Sequence, residues 1–134
     1  RELRTGGLKM MMTEQNEMIE VLPKLVRNNI ATHLLTEGIA EEVEVHSTTD
    51  QETYRAMLKS KLMEEAGEVI GANTRTSMQE EIGDLLEVID ALIKTYGLNT
   101  ADIASTKDAK RERSGGFEYP GTVMTGIRYH GGSK

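Results

Sequence analysis

"KLMEEAGEVIGANTRTSMQEEIGDLLEVI", residues 61–89, carries two apolar stripes at helical spacing, separated by a short polar break. Before the break, Leu62, Ala66, Val69 and Ile70 recur at three- and four-residue steps. After it, Ile82, Leu85, Leu86, Val88 and Ile89 do the same. Two helices joined by a turn near Thr74 form an antiparallel hairpin. The same stretch places acids where such a hairpin should be dry. Advancing about 100° per residue puts Glu65 inside the first stripe and Glu68 at its edge. On the second helix Glu81 projects between Val88 and Leu92, and Asp84 lies at the margin.

Helical signals extend outward from this hairpin. Upstream, Leu25, Val26, Ile30, Leu34 and Leu35 predict a helix from Lys24, with Pro23 near its start and Gly38 as its stop. Val43 and Val45 alternate with Glu42, Glu44 and His46, the pattern of a short edge strand. Thr49 and Glu52 have capping-box spacing and open the first hairpin helix, which also carries Tyr54, Met57 and Leu58 in its stripe. Ser77 and Glu80 repeat that spacing before the second. Tyr96 and Gly97 stop the second helix, and Thr100 caps a shorter one that runs to "RSGG". Beyond it, "FEYPGTVMTGIRY" predicts a hairpin or an extended tail. The expected fold is all-α: four main helices with a small extended element.

The chain of 134 residues is long enough for one domain with a modest core, expected over residues 20–129. Residues 1–12 do not begin like a native start, with the first Met at position 10, and residues 130–134 lack an apolar pattern, so an extraneous or loose tail is expected at each end. A net charge of -6 argues against a non-specific nucleic-acid binder, whose affinity would come from a basic surface, and no nucleic-acid partner is expected. The absence of cysteine excludes disulfides, thiolate metal sites and thiol nucleophiles. No apolar run has the length of a membrane span, so no membrane partner is expected and a cytoplasmic location is the default. The second hairpin helix is apolar over well over half its circumference, more than one small chain covers, which predicts a homo-oligomer.

Folded back at the turn, the hairpin brings Glu65, Glu68, Glu81 and Asp84 together. Four carboxylates in a half-dry groove repel one another and resist ionisation unless a cation neutralises them. An oxygen-only ligand set suits Mg²⁺ or Mn²⁺ and suits Zn²⁺ poorly. Intrahelical salt bridging at a partly exposed seam would also place acids there. Gly83 is unfavourable inside a helix by about 1 kcal/mol relative to Ala, so a close neighbour is expected beside it.

The order Glu64-Glu65-x-x-Glu68, then Glu81-x-x-Asp84, with "KLVRN" at residues 24–28 and "KRERSGGF" at residues 110–117, resembles the MazG-like all-α nucleoside triphosphate pyrophosphohydrolases. This family is related to phosphoribosyl-ATP pyrophosphohydrolase and the dimeric dUTPases. The resemblance covers residues 24–117, and it departs from the family pattern at Asn28, where an Asp is usual. It implies a four-helix MazG-like bundle, assembled as a dimer or tetramer. It further implies Mg²⁺ held by Glu65, Glu68, Glu81 and Asp84, and cleavage of the α–β phosphoanhydride to a nucleoside monophosphate and pyrophosphate, as in clearing non-standard or excess nucleotides. Glu64 then accepts the proton of the attacking water or holds a further metal.

A polyphosphate also needs cations. Lys107, Lys110 and Arg111 share one side of the last helix, with Arg113 following; Lys110 and Arg113 are the chosen phosphate ligands there. Lys24 and Arg27 form a second candidate pair or are structural, and Lys61 contacts phosphate or balances the acids. Two other functions fit the same residues: hydrolysis of phosphoribosyl-ATP, and a non-catalytic helical protein that binds a cation only for structure.

Overall fold

The structure, a computed structural model, describes residues 17–131. The expectations for residues 1–12 and 132–134 lie outside these. The chain divides into two compact units, Arg1–Thr95 and Tyr96–Lys134. Among the described residues there are four helices and no strand: α1 (Ile30–Thr36), α2 (Gln51–Gly71), α3 (Arg75–Thr95) and α4 (Thr100–Ser114). No helix among them is long and apolar enough to cross a membrane.

In the first unit, α2 and α3 pack as two equal arms of 21 residues each. The cap that starts α2 sits one residue later than the sequence spacing suggests, and the cap that starts α3 three residues earlier. Asp50, rather than Thr49, caps α2: its carboxylate accepts from the Thr53 amide at 2.9 Å and the Thr53 hydroxyl at 2.6 Å. These bonds, that of the hydroxyl first, lower the Asp50 pKa. A charged acceptor facing the positive end of a helix is the stronger cap, which explains the choice. At the start of α3, Thr74 and Ser77 cap reciprocally. The Ser77 amide donates to Thr74 Oγ1 at 3.0 Å and the Thr74 amide to Ser77 Oγ at 3.1 Å, so Ser77 closes the box instead of opening it. Residues 72–74 alone remain as the turn.

The seam holds one stripe from each arm, with Leu58 on α2 only 2% exposed and Val88 on α3 also buried. Arg55 fastens the open end of the hairpin. It donates through Nε to Thr95 Oγ1 at 3.2 Å and through Nη2 to the Thr95 carbonyl, where the negative end of α3 favours a cation. Ile82 and Leu86 of α3 stay exposed, as do Met63 and Ile70 of α2, although Ile70 was expected in the stripe. A Cβ at Gly83 would meet nothing within 4 Å, so the neighbour expected beside it is not found among the described residues.

The first helix is shorter than its periodicity suggests. It begins at Ile30, not Lys24, behind the Asn28-Asn29 pair, a residue type that favours caps and turns over helix interiors. Its end is as expected: Gly38 adopts φ +71, with Ile39 N bonded to the Leu34 carbonyl at 2.9 Å and Gly38 N to Leu35 at 3.2 Å, a Schellman stop. The strand expected at residues 42–46 is absent, because a single extended segment has no ladder partner among the described residues.

In the second unit, Asn99 caps α4 in place of Thr100, its side-chain oxygen accepting from the Ala101 and Asp102 amides at 2.7 and 3.2 Å. Gly115, at φ +82, ends the helix, and Arg111 pairs with Glu118 beyond it. Residues 116–131 form the extended alternative and not the hairpin, with Pro120 lacking the amide that a ladder needs.

Two substitutions probe the hairpin with opposite signs. Leu58→Ala is expected to destabilise by about 3 kcal/mol, the cost of a cavity at a buried Leu. Gly83→Ala is expected to stabilise by up to about 1 kcal/mol, since its Cβ enters open space. Urea denaturation of both variants measures the two values.

Candidate metal centre

The position of the turn decides which acids meet. With residues 72–74 as the turn, Glu65 and Glu81 stand equally far from Asn73 on opposite arms, and Asp84 is one helical turn beyond Glu81. One oxygen from each of Glu65, Glu81 and Asp84 lies within 4.8 Å of the others. Two ligands on opposite sides of a Mg²⁺ ion stand about 4.2 Å apart, so small side-chain adjustments would close the three around one ion. Glu68, the fourth expected ligand, stands closer to the turn and remains exposed outside this group, in keeping with its place at the edge of the α2 stripe.

The three acids occupy different environments. Glu65 is 8% exposed, the one buried charged residue among those described. Its carboxylate lies 3.5 Å from Lys61 Nζ, itself largely covered. A carboxylate in such a place needs a counter-charge, because desolvation without one costs several kcal/mol. Asp84 receives its counter-charge from a distant part of the chain: Arg27 Nη2 donates to Asp84 Oδ1 at 2.7 Å. Glu81, half-buried, is paired with no cation among the described residues. Desolvation raises its pKa, and repulsion from Asp84, Glu68, Glu65 and Glu80 raises it further.

Intrahelical pairing accounts for part of this pattern. Lys61 lies 3.3 Å from Glu64 and 3.5 Å from Glu65, the i,i+3 and i,i+4 pairs of an ordinary helix surface. It does not account for Glu81 or Asp84, which no cation of α3 reaches. Oxygen-only donors drawn from both arms, one of them buried, are the chemistry that Mg²⁺ and Mn²⁺ favour.

The remaining candidates divide by unit. Glu64 is not one of the three close acids; its Oε2 is shared by Lys61 and, at 3.8 Å, Lys24. Lys24 and Arg27 therefore both contact acids of the hairpin instead of standing on a helix of their own, and Pro23, Leu25, Met57 and Ser60 line a shallow cleft beside them. Lys110 and Arg113 are exposed on α4 in the second unit. Periodicity could not reveal the Arg27–Asp84 contact, which joins residues 57 positions apart, nor the Arg55–Thr95 clamp. Compared with models of known protein families, with curated proteins and with solved structures, the chain matches none.

A raised Glu81 pKa sets a pH dependence. The folded state holds this proton more tightly than the unfolded chain, so stability falls as pH rises from the unfolded value of about 4.3 through the raised folded one. Above both values the penalty is constant. In EDTA, Glu81→Gln is expected to melt at a higher temperature than the wild type at pH 7 and to lose that part of the pH dependence, as thermal melts across pH 4 to 8 would measure.

Proposed function

We propose that the protein is a Mg²⁺-dependent nucleoside triphosphate pyrophosphohydrolase, with Mn²⁺ as an alternative ion, which cuts the α–β phosphoanhydride to release a monophosphate and pyrophosphate. The observation that carries this reading is the approach of Glu65, Glu81 and Asp84 to within 4.8 Å across two helices, with Glu65 buried. The order of acids and basic motifs that resembles the MazG-like family supports the same reaction and a MazG-like bundle.

On this reading Glu65, Glu81 and Asp84 hold the ion, and Glu68, whose charge acts on Glu81, joins them by rotation of an exposed side chain or through water. The ion supplies Lewis-acid polarisation of phosphate oxygens and a lowered pKa for a bound water. Glu64, adjacent in sequence to the buried ligand, accepts the proton of the attacking water. Lys61 neutralises Glu65 when no substrate is present and is within reach of phosphate when one is. Lys24 and Arg27 supply further positive charge for the polyphosphate. Exposed Ile82 and Leu86 on α3, with Met63 and Ile70 on α2, support assembly as a dimer or tetramer, because apolar surface of this kind is normally covered.

The test is pyrophosphate release from a panel of ribo- and deoxynucleoside triphosphates with Mg²⁺. Turnover is expected on several of them. Glu65→Gln, Glu81→Gln and Asp84→Asn are each expected to lower kcat/KM by about 100-fold or more with the helical content retained, and Glu68→Gln by less. Turnover that survives all three substitutions, or that is missing in the wild type, would end this reading.

A further inference from the structure

The segment before α1 has an arrangement that phosphate binding alone does not explain. Residues 23–29 form neither helix nor strand, yet they place two cations on the acids of the hairpin: Lys24 on Glu64 and Arg27 on Asp84. Arg27 therefore occupies an oxygen of a carboxylate that belongs to the close group of three. A guanidinium and a divalent ion that share one carboxylate stand only a few ångströms apart and repel each other. Which of them yields depends on how firmly each is held.

Arg27 is held weakly. Its side chain is 58% exposed and that of Asp84 43%, so water competes for both, and exposed pairs of this kind contribute little. Lys24 stands 3.8 Å from Glu64, at the outer limit of an ion pair, and Glu64 is shared with Lys61. Val21, Leu22 and Val26 are exposed, which leaves the half-buried Leu25, beside Met57 in the shallow cleft, as the apolar hold on the segment. A positioning arginine, by contrast, would be covered and fixed by further bonds.

We propose that residues 23–29 act as a displaceable strap, in which Arg27 is a built-in counter-ion that a divalent cation must push off Asp84, so that strap docking and metal binding oppose each other. The inference rests on the metal-site reading above. Displacement has a second consequence: the two cations released from the acids become available to the anionic substrate that the ion brings with it. Metal binding and phosphate binding are then coupled through one short segment, by the reciprocity of linked equilibria.

The experiment titrates Mn²⁺ by EPR into the full chain and, separately, follows trypsin cleavage after Lys24 and Arg27 with and without Mn²⁺. Arg27→Gln is expected to tighten Mn²⁺ binding by about three- to tenfold, the effect of removing one positive charge near the ion. Arg27→Lys, which keeps the charge, is expected to stay near the wild-type affinity. Lys94→Gln, about 15 Å along α3 from Asp84, is expected to change nothing. In the wild type, saturating Mn²⁺ is expected to speed cleavage at both strap sites. Unchanged or weaker Mn²⁺ binding by Arg27→Gln, or cleavage that Mn²⁺ fails to accelerate, overturns the strap proposal while leaving the metal site standing. A wild-type chain that binds no Mn²⁺ overturns the metal reading, and the strap proposal falls with it.

Discussion

A carboxylate buried in the seam between two helices is the constraint on which the rest of this structure depends. Glu65 is placed among the apolar residues that hold α2 against α3, where a charge without a partner would work against the packing that puts it there. Lys61 supplies that partner from one turn away and is itself largely covered. The pair is therefore part of the core, and the hairpin cannot close without enclosing it.

Closure then fixes everything near Glu65. The Thr74–Ser77 cap starts α3 immediately after a three-residue turn, and that start sets the register in which Glu81 comes level with Glu65. At the opposite end, Arg55 on the terminal carbonyl of α3 holds the same register. A shift of one residue in either cap would rotate α3 by about 100° and carry Glu81 away from the seam. Local capping chemistry and the geometry of the acid cluster are in this sense one feature.

The three close acids differ in how their charge is balanced, and that difference is what gives the cluster chemical direction. Glu65 is balanced from its own helix, Asp84 by the distant Arg27, and Glu81 by nothing in the described chain. A divalent ion gains most at the acid without a partner and must compete where a cation is already in place. In the proposed hydrolase, affinity for the ion is therefore set by the surroundings of the ligands as much as by the ligands themselves.

Much of this was legible in the sequence. Four helices, the hairpin at its centre, the stop at Gly38 and the acids lying within apolar stripes follow from periodicity and turn chemistry, because a helix repeats every 3.6 residues whatever it packs against. The sequence could not place the caps to the residue, since Thr49, Asp50, Thr74 and Ser77 all have suitable side chains and only the bonds formed distinguish them. Nor could it exclude the strand at residues 42–46, whose alternating pattern is real but whose partner is missing. Tertiary structure alone decided that Glu68 stays outside the group and that residues 24–29 lie against the hairpin acids rather than starting a helix. Both depend on contacts between residues far apart in the chain, Arg27 with Asp84 above all, and long-range contacts leave no periodic trace.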